Sequence, residues 1–154
     1  MGVGAGTVHL AYEGLGAIAF RSSGDGGRQW GAGQRISDPA SGAVISLVRD
    51  PDIAVAPNGT VYVVYVNERL PTTLEVYITW SVDGGITWGD GIENQNDTRV
   101  DDGLGVAADH PTIAVTSGGV LVVAWRDNRA GNYDVRASSS TFRVSSSATK
   151  FPAR

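Results

Sequence analysis

The chain has 154 residues, of which 42% are hydrophobic and 18% are charged, as in an ordinary globular protein. Its net charge of -4 argues against a nucleic-acid partner, and the absence of cysteine excludes disulfides and thiolate metal sites. No run approaches the ~20 apolar residues of a membrane helix, so no membrane partner is expected. Residues 1–6 have no charged or long apolar region, so we expect no signal peptide, and the compartment stays open.

The 21 glycines, about twice the usual share, favour an all-β fold with many tight turns. Runs rich in Val, Ile, Tyr and Thr, bounded by Gly, Pro, Asn and Asp, predict β-strands. Because Val61–Val66 is apolar at almost every position, it predicts a strand that is buried on both faces. No stretch has a helical period, so we expect almost no helix. In chain order the predicted strands are Thr7–Tyr12, Ala17–Ser23, Val61–Val66, Leu74–Ser81, Val120–Trp125 and Tyr133–Ser140.

The chain repeats itself with a period of about 60 residues. Residues 51–69 and 111–129 align at an offset of 60, and residues 7–12 align with residues 60–65. Repeats of this length, each with three or four short strands, predict a β-propeller. A β-sandwich is the alternative, but it does not explain why the same sequence recurs.

About three blades are predicted, in repeats that span approximately residues 7–50, 51–110 and 111–142, and a polar tail follows at residues 143–154. The first repeat starts at its second strand, so we expect its innermost strand to be missing. Three blades do not close a ring and would leave strand edges and apolar faces exposed. We therefore expect a homodimer or higher oligomer that completes a propeller of about six blades. The alternative is a fragment of a longer gene product.

Two segments share a turn-like motif. Residues 81–88 read Ser-Val-Asp-Gly-Gly-Ile-Thr-Trp, and residues 23–30 read Ser-Gly-Asp-Gly-Gly-Arg-Gln-Trp. They resemble the Asp-box, or bacterial neuraminidase repeat, of sialidase-like β-propellers, with all five motif positions matched in residues 81–88 and four in residues 23–30. Residues 138–142 stand where a third box is expected but lack its Asp and Gly. The motif positions are Ser23, Asp25, Gly27, Trp30, Ser81, Asp83, Gly85, Thr87 and Trp88.

The resemblance implies a structural role for the box, at the turn between the third and fourth strands of a blade and away from the central pocket. Asp suits such a turn because it hydrogen-bonds nearby backbone amides, and glycine permits a positive φ. A role for Asp25 and Asp83 as calcium ligands or catalytic acids is the weaker alternative. The family also implies a secreted or cell-surface protein.

Catalytic members of this family bind the substrate carboxylate with three arginines and use a Tyr–Glu pair and an aspartic acid. The weak candidates for such roles here are Arg69, Arg126, Arg129, Glu68 and Asp127. The arginine-isoleucine-proline motif of many catalytic members is absent, and spacing identifies no Tyr–Glu pair. The preferred interpretation is that Arg69 and Arg129 are structural residues of the repeat and that the chain does not catalyse a reaction.

The sequence and the resemblance thus predict a non-catalytic propeller module that binds or scaffolds glycans or proteins. Trp125, Asn128 and Tyr133 are the first binding candidates, and a core position is the alternative for all three, above all for Trp125. The alternative function is a sialidase-like glycoside hydrolase whose site forms only on oligomerisation.

No cofactor and no metal are expected. His9 and His110 are lone histidines without ligand companions at metal spacing. The acidic segment at residues 97–103 lacks the spacing of an EF-hand, so we expect it to be a solvated loop.

Overall fold

The structure is a computed structural model, and it describes residues 1–4, 6–14, 16–37, 47–69, 73–89, 97–102 and 107–141. These residues form strands and turns and contain no helix, which confirms the all-β prediction. None of them belongs to a helix that could cross a membrane. The strands are β1 Gly2–Gly4, β2 Thr7–Gly14, β3 Ala17–Ser23, β4 Gln34–Arg35, β5 Leu47–Val55, β6 Val61–Arg69, β7 Thr73–Ser81, β8 Thr98–Arg99, β9 Ala108–Val115, β10 Val120–Asp127 and β11 Asp134–Thr141.

The strands form three antiparallel sheets that follow the order of the chain. Strands β1–β4 make blade 1, β5–β8 make blade 2, and β9–β11 make the described part of blade 3. Each sheet is a meander, in which every strand pairs with the next one along the chain. The chain therefore folds as three blades of a β-propeller.

The meander gives the blades two different ends. The connections between the third and fourth strands, residues 23–30 and 81–88, lie at what we call the turn end. The starts of the innermost strands at residues 47–50 and 107–110, and the β10–β11 loop at residues 127–133, lie at what we call the open end. Because antiparallel strands reverse direction at each step, these two groups of residues occupy opposite ends of the sheets.

The structure places the blade boundaries differently from the sequence repeats. Blade 1 does have an innermost strand, because Gly2–Gly4 pairs with β2 over Thr7–His9, which corrects the expectation that this strand is missing. Strands β5 and β9 extend through positions 51 and 111, where the sequence repeats begin. Residues 138–141, which stand where a third box was expected, belong to β11. Position 142 and the polar tail at 143–154 lie outside the described residues.

The middle blade is buried on both faces. In β6, Val61, Val63 and Tyr65 pack between blades 1 and 2, whereas Tyr62 and Val64 pack between blades 2 and 3. All five side chains are almost completely buried, which confirms the prediction for this strand. Burial of one such side chain contributes roughly 1.5–3 kcal/mol, so these alternating contacts are a main source of cohesion between the blades.

Candidate functional site

The predicted box of blade 2 closes on itself at the turn end. The Ser81 hydroxyl donates to Asp83 Oδ1 at 2.7 Å and accepts the Gly85 amide at 2.7 Å. Asp83 accepts the amides of Ile86 and Thr87 at 3.0 and 2.9 Å and the Thr87 hydroxyl at 2.6 Å. Burial alone would raise the pKa of Asp83, but the hydrogen bonds, those of Thr87 first, lower it to about 2. Both oxygens of this carboxylate are therefore engaged within the turn.

Blade 1 repeats the same turn without a hydroxyl bond at the threonine position. The Ser23 hydroxyl donates to Asp25 Oδ1 at 2.8 Å and accepts the Gly27 amide at 2.8 Å. Asp25 accepts the Gln29 amide at 2.9 Å, and this bond is the main cause that lowers the pKa of Asp25. Because Gln29 stands in the threonine position, the turn lacks the hydroxyl bond that Thr87 supplies in blade 2.

The two turns differ in how they contact the neighbouring blade. Gly27 and Gly85 both have a positive φ, of 92° and 96°. A Cβ atom at Gly85 would lie 2.1 Å from the Phe20 ring of blade 1, whereas one at Gly27 would lie 3.7 Å from the Trp30 ring. Trp88 also meets Phe20 edge-on, with 4.9 Å between ring centroids. The box of blade 2 therefore joins two blades.

The innermost strands of blades 2 and 3 each carry a strained residue at the open end. Asp50 and His110 have φ values of 54° and 48°, which residues other than glycine rarely adopt. They occupy the same repeat position, each directly before a proline, and each accompanies a bulge in the pairing with the next strand. Backbone strain and bulges of this kind gather at functional sites.

The open-end cluster consists of Asp50, Asp109, His110, Arg126 and Tyr133. His110 Nδ1 lies 3.2 Å from Asp109 Oδ1 and 3.9 Å from Asp50 Oδ2. Arg126 donates to both oxygens of Asp109, at 2.8 and 2.9 Å, and its guanidinium carbon lies 4.1 Å from the centre of the Tyr133 ring. The His110 side chain is 60% exposed and Tyr133 is 51% exposed, so a ligand can reach the cluster from solvent.

Blades 1 and 2 extend this polar surface. Glu13 of blade 1 accepts the Asp50 amide at 2.8 Å. Arg49 Nη1 donates to Asp50 Oδ2 at 3.0 Å, and Arg49 Nε lies 3.9 Å from Glu68 Oε2. All three blades thus contribute charged side chains to the open end.

The surface carries more negative than positive charge. Four carboxylates, those of Glu13, Asp50, Glu68 and Asp109, accompany only the two guanidinium groups of the preceding contacts. The hydrogen bond from Arg126 lowers the pKa of Asp109 below its ordinary value, and Asp109 in turn raises the pKa of Arg126. This pair therefore stays ionised at neutral pH.

The structural arginine cluster consists of Arg129, Asp127 and Asp102, and Asp127 directly follows Arg126 on the opposite face of β10. Arg129 donates to the two oxygens of Asp102 at 2.6 Å each and to Asp127 at 2.8 and 2.6 Å. The Arg129 side chain is 16% exposed and that of Asp127 is 1% exposed. The hydrogen bonds from Arg129 lower the pKa of Asp127 to about 2, and the same bonds raise the pKa of Arg129.

The other candidates from the sequence have different positions. Trp125 is a core residue between blades 2 and 3 and does not lie on an exposed loop. Asn128 is partly buried, and its amide donates to the Ala107 carbonyl at 3.2 Å. Glu68 lies at the edge of the open-end surface. Arg69 ends β6, and its side chain lies outside what the structure describes.

The sequence did not identify Asp50 and Asp109, which are the acidic neighbours of His110. The one available signal is that Asp50 and His110 stand at the same place in two repeats, each before a proline. Their contact joins residues 60 positions apart, and no spacing rule within a strand predicts it. Only the packing of blade 2 on blade 3 brings these side chains together.

The solvated loop expected at residues 97–103 is wrong for the residues that the structure describes. The Tyr65 hydroxyl donates to the Asp97 carboxylate. Asp101 is buried and accepts from Arg99 at 2.7 Å. Within the described ranges no three acidic, histidine or cysteine side chains are arranged to hold a metal ion.

No protein-family model and no curated protein matches this chain. Among solved structures, it is similar to a point mutant of the alpha-L-arabinofuranosidase from Fusarium graminearum, in complex with an iminosugar inhibitor. The TM-score is 0.58 at 17% sequence identity, over 88% of this chain and 42% of that chain. The chain thus spans less than half of that propeller enzyme, and the likeness establishes a shared propeller fold.

Proposed function

We propose that this protein is a non-catalytic propeller module that binds glycans through the open-end cluster. The observation that carries the proposal is the half-exposed Tyr133 ring beside Arg126, with Asp109 and His110 in the same cluster. Sugar sites combine an apolar ring surface with a few polar groups that orient the hydroxyls. Carboxylate, imidazole and guanidinium groups supply both acceptors and donors for such hydroxyls.

The charges of the open end favour a neutral or amino sugar over an acidic one. Arg126 already makes two hydrogen bonds to Asp109, and Arg129 is engaged with two carboxylates. A sialidase-like clamp needs arginines that are free to pair with the carboxylate of the substrate. The surplus of protein carboxylates would repel an acidic sugar, whereas a sialidase-like clamp must attract one.

Residues 23–30 and 81–88 are, in this proposal, structural turns of the Asp-box type. Their support is that Ser23 and Ser81 make the same pair of hydrogen bonds, and Asp25 and Asp83 cap the following amides in the same way. Both turns lie at the end of the sheets opposite the open-end cluster, so ligand binding would not involve them.

The second candidate function is glycoside hydrolysis at the same cluster, and the likeness to an arabinofuranosidase favours testing it. Asp50 and Asp109 both approach His110 Nδ1, so the two contacting oxygens are at most about 7 Å apart, which does not exceed the largest carboxylate separation that glycosidases use. However, the bidentate bond from Arg126 keeps Asp109 ionised, which does not suit a general acid. Release of nitrophenol from aryl arabinofuranosides or sialosides, lost in Asp50→Asn, would establish hydrolysis.

Binding is tested by calorimetric titration with neutral, amino and acidic oligosaccharides. We expect heat of binding from the first or second class and none from the third. Tyr133→Ala should weaken binding about tenfold, because the ring surface is lost. Ile86→Ala is the matched control, since Ile86 is also an exposed apolar side chain but lies at the turn end. Unchanged affinity in Tyr133→Ala would move the site elsewhere, and no binding in any class would reject the function.

A further inference from the structure

Each blade has two sheet faces, and neighbouring blades join unlike faces. We call leading the face that a blade turns toward the preceding blade, and trailing the face that it turns toward the following one. In β6 the leading face carries Val63 and Tyr65 and the trailing face carries Tyr62 and Val64. Blade 2 thereby contacts blade 1 with its leading face and blade 3 with its trailing face.

On the trailing face of blade 3, Val135 and Ala137 are exposed apolar side chains that lie beside the charged Arg126, and no described residue covers them. Val135 and Ala137 pair across the sheet with Arg126 and Ala124, at the register positions that Val76 and Ile78 hold in blade 2. Val76 is 0% exposed beneath blade 3, whereas Val135 is 81% exposed. The repeat thus presents, on blade 3, the surface that blade 2 uses to bind its neighbour.

The leading face of blade 1 corresponds to the face with which blade 2 contacts blade 1. Leu10 and Tyr12 stand where Val63 and Tyr65 stand in blade 2, by the alignment of residues 7–12 with 60–65. Val63 and Tyr65 are completely buried against blade 1, but Leu10 and Tyr12 are only partly buried. Among the described residues, one trailing face and one leading face are therefore without a neighbouring blade, and these two kinds of face pair at the internal blade contacts.

We propose that a second copy of this chain docks head to tail, with its leading face of blade 1 on the trailing face of blade 3, and that two copies close one ring of six blades. The inference does not rest on glycan binding, although Arg126 of the proposed glycan site lies on the same trailing face as Val135. A heterologous contact of this kind closes into a ring when the rotation between copies permits it. All blades would then point the same way, with both open-end clusters at one end of the ring.

The experiment measures mass by light scattering coupled to size exclusion, with the full chain. The wild type should have twice the 16.1 kDa mass of one chain. Val135→Lys changes only the trailing face and Leu10→Lys only the leading face, and each alone should give monomers. Ile86→Lys, at the exposed turn end, is the control and should remain a dimer. Cooperative thermal unfolding shows that each variant is folded, and Ala19→Lys replaces Leu10→Lys if that variant is not.

Mixing the two single-face variants separates head-to-tail docking from other dimers. Val135→Lys keeps an intact leading face and Leu10→Lys an intact trailing face, so the mixture should recover a one-to-one complex. A dimer joined through two identical faces would not behave in this way, because one of the two variants would dimerise by itself. A monomeric wild type, a larger open polymer, or a dimer that Leu10→Lys leaves intact would overturn the proposal.

Discussion

Two arginines of blade 3 lie three positions apart and have different surroundings. Arg129 is 16% exposed and is held by the carboxylates of Asp127 and Asp102. Arg126 is 42% exposed and is held by Asp109 alone, with the Tyr133 ring beside its guanidinium group. Both make bidentate bonds to a carboxylate, so bond geometry does not distinguish them.

The difference between the arginines is what their removal would leave behind. Without Arg129, the nearly inaccessible Asp127 would be an uncompensated buried charge, which is costly. Without Arg126, which is itself 42% exposed, solvent would reach the Asp109 side chain, which is 5% exposed in the intact protein, and His110 Nδ1 would remain 3.2 Å away. The comparison therefore predicts that one arginine serves the fold and the other is available to a ligand.

The largest effect is expected for Arg129→Ala. Breaking a buried ion pair from one side destabilises a protein by about 3 kcal/mol, because the partner charge stays behind. Denaturant unfolding at pH 7 measures this change. The folded fraction should keep the glycan affinity of the wild type. A loss of stability no larger than that of Arg126→Ala would remove the distinction between the two arginines.

The second effect is a loss of stability at acid pH that depends on Asp127. Its folded pKa is about 2, below the ordinary value of 3.8, so the native state binds the proton less readily than the unfolded chain. This contribution, about 2 kcal/mol, is complete above pH ~4 and is lost as the pH falls toward 2. The stability difference between wild type and Asp127→Asn should therefore shrink over that window. A constant difference from pH 7 to pH 2 would contradict the assignment.

The third prediction is that Arg126→Ala lowers glycan affinity more than it lowers stability. The unfolding midpoint should fall by less than in Arg129→Ala, because Arg126 is 42% exposed and its partner Asp109, although only 5% exposed, keeps His110 beside it. Glycan affinity should fall, because Asp109 and Tyr133 lose the group that orients them. Arg126→Lys keeps the charge without the bidentate geometry, so its glycan affinity should lie between those of the wild type and Arg126→Ala. Calorimetric titration and denaturant unfolding on the same preparations measure both quantities.

The smallest effect is expected for Tyr133→Phe. The aromatic ring beside Arg126 is retained, and Tyr133 is half exposed, so neither stability nor binding should change beyond measurement error. Tyr133→Ala, in contrast, should keep stability and lose affinity. If Tyr133→Phe binds as weakly as Tyr133→Ala, the hydroxyl rather than the ring contacts the ligand.

Local chemistry made the strands and turns predictable. Val61–Val66 is apolar on both sides of its pleat, which required a strand between two sheets, and the structure buries it there. The serine, aspartate and glycine of residues 81–88 hydrogen-bond with one another over a few positions, so their turn can be recognised from sequence. Blade boundaries were less predictable, because the strongest sequence match began at Pro51, in the middle of β5.

The candidate site was only partly predictable. Arg126 and Tyr133 were named from the sequence, but Asp50, Asp109 and the environment of His110 were not. In the sequence, Trp125 was a binding candidate with a core position as the alternative, and a structural role was preferred for Arg129. The structure buries both of them largely from solvent. Burial depends on which blade face a residue occupies and what packs there, which residue type and spacing do not specify.

The sequence by itself determined the all-β class, the repeated blade and the turns, since these depend on alternation and on hydrogen bonds between near neighbours. The tertiary structure alone decided that Glu13, Asp50 and His110, one from each blade, would meet at the open end. It also decided that Arg129 would be enclosed while Arg126 stayed exposed. Both outcomes follow from the packing of one blade on the next, which joins residues that are far apart in the chain.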